Sequence, residues 1–257
     1  MGDNFLKSNQ SISVCLACYN GDKFILEQLN SILAQLEISD EVIIVDDCST
    51  DNSFKTILNL NDQRIKLVKN DSNLGVNRSF ERAIELANNQ VIVLSDQDDI
   101  WINGRLKLIL STLDNNQGAL LAGNAIYIDN NGLETEPLIG NLKKCDSKKS
   151  ILNLFKIFSG TAPYYGCTMA FSKDLRSLIL PFPIIIESHD LWIAKCAIII
   201  NRIVHIEEPI LYRRIHGGNA SVISRKLISK INSRLIFFLS IIIIINRIIL
   251  KRLCKFY

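Results

Sequence analysis

Over its first 130 residues the chain alternates short apolar runs, rich in β-branched side chains, with amphipathic stretches, and this alternation leaves few possible folds. The apolar runs are residues 11–17, 41–45, 65–68 and 91–94, and the stretches with a helical period are residues 22–35, 49–60 and 77–87. Such alternation is typical of βαβ units around a mostly parallel sheet with helices on both faces. We therefore predict an α/β, Rossmann-like fold.

The remainder of the chain is less regular but still predicts ordered elements. We expect helices near residues 105–113, 151–158 and 190–200, and extended segments over residues 119–128, 167–171 and 203–215. No internal repeat of solenoid period is present, so a repeat architecture is excluded.

Acidic residues cluster where three of these elements meet polar loops. Asp46 and Asp47 follow one apolar run, residues 96–99 (DQDD) follow another, and Asp190 stands at the start of a predicted helix. Open α/β sheets bind ligands at the carboxyl ends of their strands. Crowded carboxylates repel one another unless a cation lies between them, so a divalent ion such as Mg²⁺ or Mn²⁺ is the economical explanation.

Four motifs in order carry a resemblance to a known family. They are residues 13–20 (SVCLACYN), 41–51 (EVIIVDDCSTD), 73–76 (NLGV) and 94–101 (LSDQDDIW). Together they resemble the family 2 glycosyltransferases of the GT-A fold, in particular their bacterial rhamnosyltransferase-like branch. Four ordered motifs are far more specific than a single Asp-x-Asp, which is common in loops.

The resemblance implies a division of the chain. A GT-A domain would span residues 10–220, with residues 10–115 forming the half that binds the nucleotide sugar and residues 116–220 the half that binds the acceptor. Residues 221–257 would form a cationic, apolar helical tail.

The same resemblance implies a set of residues that bind the nucleotide sugar. Ala17 and Tyr19 correspond to the loop that packs against the base, and Asp47, with Asp46 beside it, to the carboxylate that accepts a hydrogen bond from the pyrimidine ring. Arg78 lies close to the position of a basic residue near the nucleotide. Asp46 and Asp47 could instead cap the following turn, and Tyr19 could be a core aromatic residue.

A second set is implied for metal binding and catalysis. Asp96 and Asp98 match the Asp-x-Asp that holds a metal ion and the sugar diphosphate, and Asp190 matches the catalytic base. His216, in residues 212–216 (YRRIH), is expected near the metal or the diphosphate, although a histidine before two glycines is also an ordinary loop residue. Trp101 and Trp192 are either acceptor platforms or core residues.

The activity implied is a metal-dependent, inverting glycosyl transfer with Mn²⁺ or Mg²⁺. The donor would be a UDP- or dTDP-linked sugar, with rhamnose as one candidate, and the acceptor a saccharide or lipid-linked saccharide in the synthesis of bacterial surface polysaccharide. Two alternatives stay open: a nucleotidyltransferase, disfavoured because the loop after the first strand has one glycine, Gly21, and a non-catalytic sugar-nucleotide binder of the same fold.

Charge and hydropathy bear on partners and location. The net charge is +3 and no basic run is interleaved with aromatic residues, so nucleic acid is not an expected partner. Residues 213–257 contain no Asp or Glu, and the apolar run 235–245 is shorter than the ~20 residues that span a bilayer. We expect a cytoplasmic protein whose tail lies on the inner face of the cell membrane, the alternative being a tail that packs on the domain.

Overall fold

The predicted alternation of strands and helices is present in the computed structural model, which describes residues 10–116, 119–137, 139–216 and 227–253. The strands are β1 Ile12–Cys18, β2 Glu41–Asp46, β3 Ile65–Lys69, β4 Val91–Ser95, β5 Ile100–Trp101, β6 Leu120–Ile128, β7 Glu134–Thr135, β8 Met169–Ser172 and β9 Ile203–Arg214. The helices are α1 Ile25–Leu33, α2 Ser53–Asn59, α3 Val76–Leu86, α4 Arg105–Asn116, α5 Ser150–Ser159, α6 Arg176–Ile179, α7 His189–Ile199 and α8 Leu227–Leu253.

The strands form one mixed sheet. Its order is β3-β2-β1-β4-β8-β6-β9-β5, and β7 pairs with β6. The β3-β2-β1-β4 portion is parallel, and β8 is antiparallel to both of its neighbours, β4 and β6. The crossover helices of the parallel portion confirm the α/β prediction.

Strands β1, β2 and β4 of the parallel portion are buried on both faces, which explains why they read as apolar runs, whereas the edge strand β3 is partly exposed. Along β2, Ile43 and Val45 point into the core layer that also contains α3 and α7, whereas Val42 and Ile44 point into the layer formed with α1 and α4. Adjacent side chains of a strand face opposite sides of the sheet, so one run supplies two core layers.

The two-residue strand β5 was not predicted from the sequence. Ile100 and Trp101 pair antiparallel with Tyr212 and Leu211 of β9. Two residues are too few to show a period, so no pattern could indicate this strand. Its effect is to bring the carboxyl end of β9 beside the acidic loop that precedes β5.

Helix α8 is longer than the apolar run that predicted it. The segment Lys230–Leu253 has 24 residues and contains an 18-residue window of mean hydropathy 2.2, so by length and composition alone it could cross a membrane. Asn246 and Arg247 do not end it, because the Arg247 side chain lies against the domain and donates to the carbonyl oxygens of Leu178 and Ile179. The predicted limit between residues 220 and 221 lies outside the described residues.

Candidate active site at the carboxyl edge of the sheet

Strand register brings the polar loops after β1, β2 and β4 together. Cys18 of β1 lies beside Asp46 of β2, and Leu16 of β1 lies beside Ser95 of β4. Because the three strands are parallel, the loops that follow them share one edge of the sheet.

Tyr19, the first residue after β1, is 46% exposed, which excludes its reading as a core aromatic residue. Gln97 holds its backbone: the side-chain oxygen accepts from the Tyr19 N–H at 2.8 Å and the amide donates to the Tyr19 carbonyl at 3.1 Å. A Cβ added to Gly21 would lie 2.5 Å from the same Gln97 oxygen, so no residue larger than glycine fits at position 21 unless Gln97 moves. Ala17 is half-buried beside this loop.

Asp46 and Asp47 are both buried. Asp47 organises the loop before α3, because it accepts from the Asn70 amide at 2.7 Å and from the backbone N–H groups of Leu74 and Gly75 at 2.8 Å. Asp46 accepts from the Ser49 N–H at 3.1 Å, and its Oδ1 is buried without a hydrogen-bond partner among the described residues. An orphaned buried acceptor is costly in isolation, so the Asp46 Oδ1 is a polar atom of this edge whose hydrogen bonding the described residues do not complete.

The acidic loop between β4 and β5 concentrates negative charge. Burial and the neighbouring Asp98 raise the pKa of Asp96 to about 6. The same two causes raise the pKa of Asp99 well above its usual range. Arg213 opposes both shifts. The loop therefore favours a bound cation, which would stabilise the ionised carboxylates.

The carboxyl end of β9 supplies basic side chains to this loop. The Arg214 N–H donates to Asp99 Oδ1 and the Arg214 Nε to the Asp98 carbonyl, both at 3.0 Å. His216 Nε2 lies 2.7 Å from Asp98 Oδ2. Arg213 stacks on the Tyr165 ring at 3.8 Å from its centroid. Residues 212–216 thus reach the acidic loop, as the resemblance implied for His216.

The group of side chains that could hold a metal ion only partly overlaps the predicted set of Asp96, Asp98 and His216. Ligand atoms of Asp96, Asp99 and Cys167 lie within 4.8 Å of one another, whereas Asp98 faces His216. Burial raises the Cys167 pKa well above its usual range, so a neutral thiol is expected there, and thiols bind metals as thiolates. Asp99 Oδ2 is buried without a hydrogen-bond partner among the described residues. Such carboxylate oxygens fit Mg²⁺ or Mn²⁺.

Asp190 occupies the first turn of α7, and its Oδ1 accepts from the Leu191 N–H at 2.7 Å. The negative charge of Asp190 contributes to the raised pKa of Asp96, so the Asp190 carboxylate lies on the same side of the molecule as the acidic loop. The loop before it is held by Asn77 of α3, which accepts from the His189 N–H at 2.9 Å and donates to the Glu187 carbonyl at 3.3 Å. The start of α7 is therefore fixed relative to α3.

Arg78 is turned towards the segment that precedes α7. Its guanidinium is ion-paired with Glu81 and donates to the Phe182 carbonyl at 3.1 Å. These contacts hold the Arg78 guanidinium on the side of α3 that faces Phe182. Among the described residues, no contact directs it towards the loops after β1 and β2.

Both tryptophans belong to the core. Trp192 is fully buried and donates to the Ile179 carbonyl at 2.8 Å, and Trp101 is buried with its indole N–H bonded to Ser95 at 3.1 Å. Of the two sequence-based alternatives for these residues, the acceptor platform is therefore excluded.

Sequence reasoning missed several residues that build the site. Gln97 lies inside the Asp-x-Asp motif and Asn77 directly follows the motif at residues 73–76, but neither is a charged or catalytic residue type. Arg213 and Arg214 lie in the same segment as His216, but only His216 was predicted to be a site residue. No sequence signal pointed to Cys167.

Known proteins share these features. Residues 13–178 match the family described as Glycosyl transferase family 2. A UDP-Glc:alpha-D-GlcNAc-diphosphoundecaprenol beta-1,3-glucosyltransferase, WfgD of Escherichia coli, is 31% identical over 48% of this chain and 48% of its own length. The dTDP-rhamnosyl transferase RfbG of Shigella flexneri is 30% identical over 62% of this chain and 54% of its own. The chain spans about half the length of these relatives.

Among solved structures, residues 1–349 of Staphylococcus aureus TarS in complex with UDP-GlcNAc have a TM-score of 0.68 at 21% identity, covering 88% of this chain and 65% of that fragment. This likeness concerns the fold, which agrees with the GT-A prediction. The family match covers more than half of the chain and includes the strands and loops described above. This chain belongs to glycosyl transferase family 2.

Proposed function

We propose that this protein is a metal-dependent, inverting glycosyltransferase that uses a nucleoside-diphosphate sugar. The observation that carries the proposal is the meeting of Asp96, Asp98 and Asp190 at one edge of the sheet, close enough for the last two to raise the pKa of the first. A donor diphosphate with its metal and a catalytic base are what such a cluster fits. Membership of the family argues against the nucleotidyltransferase alternative.

The nucleotide half of the donor would occupy the loops after β1 and β2. Tyr19 is exposed there, Ala17 lies beside it, and one oxygen of Asp46 has no hydrogen-bond partner among the described residues. Asp47 already accepts hydrogen bonds on both oxygens, so it acts first by shaping the loop at Gly75. The donors of the relatives WfgD and RfbG favour a UDP- or dTDP-linked sugar, rhamnose included. Arg78 would contribute only after leaving Glu81.

The metal, Mn²⁺ or Mg²⁺, would be held by Asp96 and Asp98, with Asp99 and His216 beside them. When bound, such an ion offsets the charge that develops on the departing diphosphate. Arg213 and Arg214 add fixed positive charge at the same loop. Electrostatic stabilisation of this kind is usually the largest part of catalysis.

Asp190 would act as general base. It takes the proton from the acceptor hydroxyl while that oxygen forms a bond to the anomeric carbon, and the bond between this carbon and the diphosphate oxygen breaks on the opposite face. One displacement inverts the anomeric configuration. Such a base typically contributes about 10²–10⁴-fold to the rate.

The acceptor would be a saccharide, carried on a lipid, in the assembly of a bacterial surface polysaccharide. The relative WfgD acts on a diphosphoundecaprenol-linked sugar, and α8 of this chain offers an apolar surface to a membrane. The protein would then work in the cytoplasm, peripherally on the inner face of the cell membrane.

Release of nucleoside diphosphate from a panel of sugar nucleotides, with Mn²⁺, with Mg²⁺ and with chelator, tests the proposal. We expect release from one donor, lost with chelator and in Asp98→Asn. If no donor is turned over with or without saccharide acceptors, and donors bind equally well to Asp98→Asn, the non-catalytic alternative holds instead.

A further inference from the structure

Helix α8 has two apolar faces that point in opposite directions. One face packs on the domain through Ser233, Phe237, Ser240 and Ile244, all buried. The other is exposed from residue 231 to residue 253 and includes Ile231, Leu235, Phe238, Ile242, Ile245, Ile249 and Leu253, with Leu239 and Leu250 at its border. In a helix of 3.6 residues per turn these two sets lie on opposite sides, so a soluble setting leaves the outer set in water.

Polar contacts pin α8 to the domain near both ends. Ser233 donates to Glu187 at 2.5 Å, and Arg247 donates to the carbonyl oxygens of Leu178 at 2.8 Å and Ile179 at 3.0 Å. The pinned residues are about 21 Å apart at 1.5 Å per residue. Helix α8 therefore runs along the domain surface and does not project from it, which favours an in-plane over a spanning position.

Helix α5 extends the outer apolar face of α8. The Phe158 ring lies 5.4 Å from that of Phe237 and 5.7 Å from that of Phe238, between centroids. Ile151 and Phe155, which are 87% and 63% exposed, lie on the same side of α5 as Phe158 because they precede it by seven and three residues. The two helices thus present one continuous apolar area, which we name the α5–α8 surface.

Cations surround this surface. Residues 143–156 contain five lysines and a single acid, Asp146, whose carboxylate is already paired with Lys149 at 2.9 Å and Lys156 at 2.8 Å. The charged residues of α8 are all Lys or Arg, and Arg234 covers the Phe158 ring at 4.9 Å. Two acids, Glu187 and Glu207, also contact these segments, through Ser233 and the Lys144 N–H, but the balance of charge is positive. Apolar helices bordered by net positive charge match the interface of an anionic bilayer.

We propose that the α5–α8 surface binds the surface of an anionic lipid bilayer, with α8 in the membrane plane and α5 as a second contact that fixes the orientation of the domain. The proposal rests on the membrane attachment suggested above and adds α5 to it. A second copy of this chain fits less well, because two such surfaces would bring two sets of cations together.

This orientation would direct the catalytic edge towards lipid-borne substrates. Glu187, which bonds Ser233 of α8, lies three residues before Asp190. The start of α7, which carries Asp190, is therefore connected directly to the membrane-facing helix.

The test is sedimentation of the full chain with vesicles of phosphatidylcholine containing phosphatidylglycerol, and with phosphatidylcholine alone. The variant is Ile151→Glu with Phe155→Glu, and the matched control is Leu58→Glu, an exposed leucine of α2 on the opposite face of the sheet. We expect the α5 variant to lower binding to the anionic vesicles roughly tenfold or more, from the apolar area withdrawn, and the control to bind like the wild type.

Binding of the α5 variant at the wild-type level would overturn the proposal, leaving α8 as the sole contact. Failure of the wild type to bind anionic vesicles, with a dimer that the α5 variant dissociates, would also overturn it in favour of a second copy. Diphosphate release without vesicles, measured on the same samples, separates these results from a failure of the proposed activity, since Ile151 and Phe155 lie outside the catalytic edge. Unchanged thermal melting confirms folding of both variants.

Discussion

His216 Nε2 lies 2.7 Å from Asp98 Oδ2, although 118 residues separate the two positions. Pairing of β5 with β9 brings them together, and the Phe24 ring stacks on the imidazole with centroids 5.4 Å apart. The histidine is therefore held at the acidic loop by backbone and ring contacts, independently of any ligand.

We expect His216→Ala to lower the rate of diphosphate release about ten- to a hundredfold, because a hydrogen bond to a charged group contributes about 1.5–3 kcal/mol. Phe24→Leu, which removes the stacking partner and keeps the hydrogen bond, should have a smaller effect. Steady-state kinetics with the preferred donor measure both. Equal rates for His216→Ala and the wild type would show that this contact is only structural.

The two hydrogen bonds from the Gln97 side chain to the Tyr19 backbone, here called the Gln97 clamp, fix the position of Tyr19. In Gly21→Ala the new Cβ would lie 2.5 Å from the Gln97 oxygen, so Gln97 must give up its two hydrogen bonds to Tyr19. We expect KM for the donor to rise roughly tenfold, since each neutral hydrogen bond contributes about 0.5–1.5 kcal/mol.

Gly140→Ala is the matched control, because no atom lies within 4 Å of a Cβ added there. Adding Gly21→Ala to Gln97→Ala should cause no further rise in KM, as expected for two changes that break one interaction. A further rise in the donor KM when Gly21→Ala is added to Gln97→Ala would contradict the Gln97 clamp.

The third prediction concerns Asn77 as a positioning residue for Asp190. Asn77→Ala removes the bonds to His189 and Glu187 that fix the start of α7. We expect kcat to fall roughly tenfold or more while donor affinity is unchanged, because small misplacements of a reacting group are costly. Asn59→Ala, at an exposed position of α2, should leave both unchanged. A change in donor affinity alone would contradict this role.

Trp192 is a residue of the core and not of the acceptor site, and two substitutions distinguish these roles. Trp192→Ala should lower the free energy of unfolding by about 3–5 kcal/mol, as expected for a large buried aromatic residue. Trp192→Phe should cost less and leave KM for the acceptor at the wild-type value. Urea unfolding and acceptor kinetics measure these, and a raised acceptor KM in a fully stable Trp192→Phe protein would contradict the assignment to the core.

Much of the fold was predictable because its determinants are local. The runs at β2 and β4 are apolar and the run at β1 is interrupted within the strand by Ser13 alone, because these three strands are buried on both faces. Their predicted ends agree with the structure to within a residue or two. The positions of Asp96, Asp98 and Asp190 followed from the motifs, and their nearness to one another followed from the common edge of the sheet.

What the sequence could not predict depends on tertiary contacts. Burial of Trp192 and the turning of Arg78 towards Phe182 depend on which neighbours the fold supplies. The pairing of β5 is too short to leave a pattern. The apolar run ends at residue 245, but the helix continues past it, and Arg247 donates to carbonyl groups of the domain.

The central claim is that Asp190 removes the proton from the acceptor during glycosyl transfer, and Asp190→Asn tests it most directly. Transfer to acceptor and donor affinity should be measured together in the wild type, in Asp190→Asn and in Asp114→Asn, an exposed carboxylate of α4. The account predicts that Asp190→Asn lowers transfer about 10²–10⁴-fold with donor affinity unchanged, and that Asp114→Asn behaves like the wild type. Transfer by Asp190→Asn at the wild-type rate would contradict it.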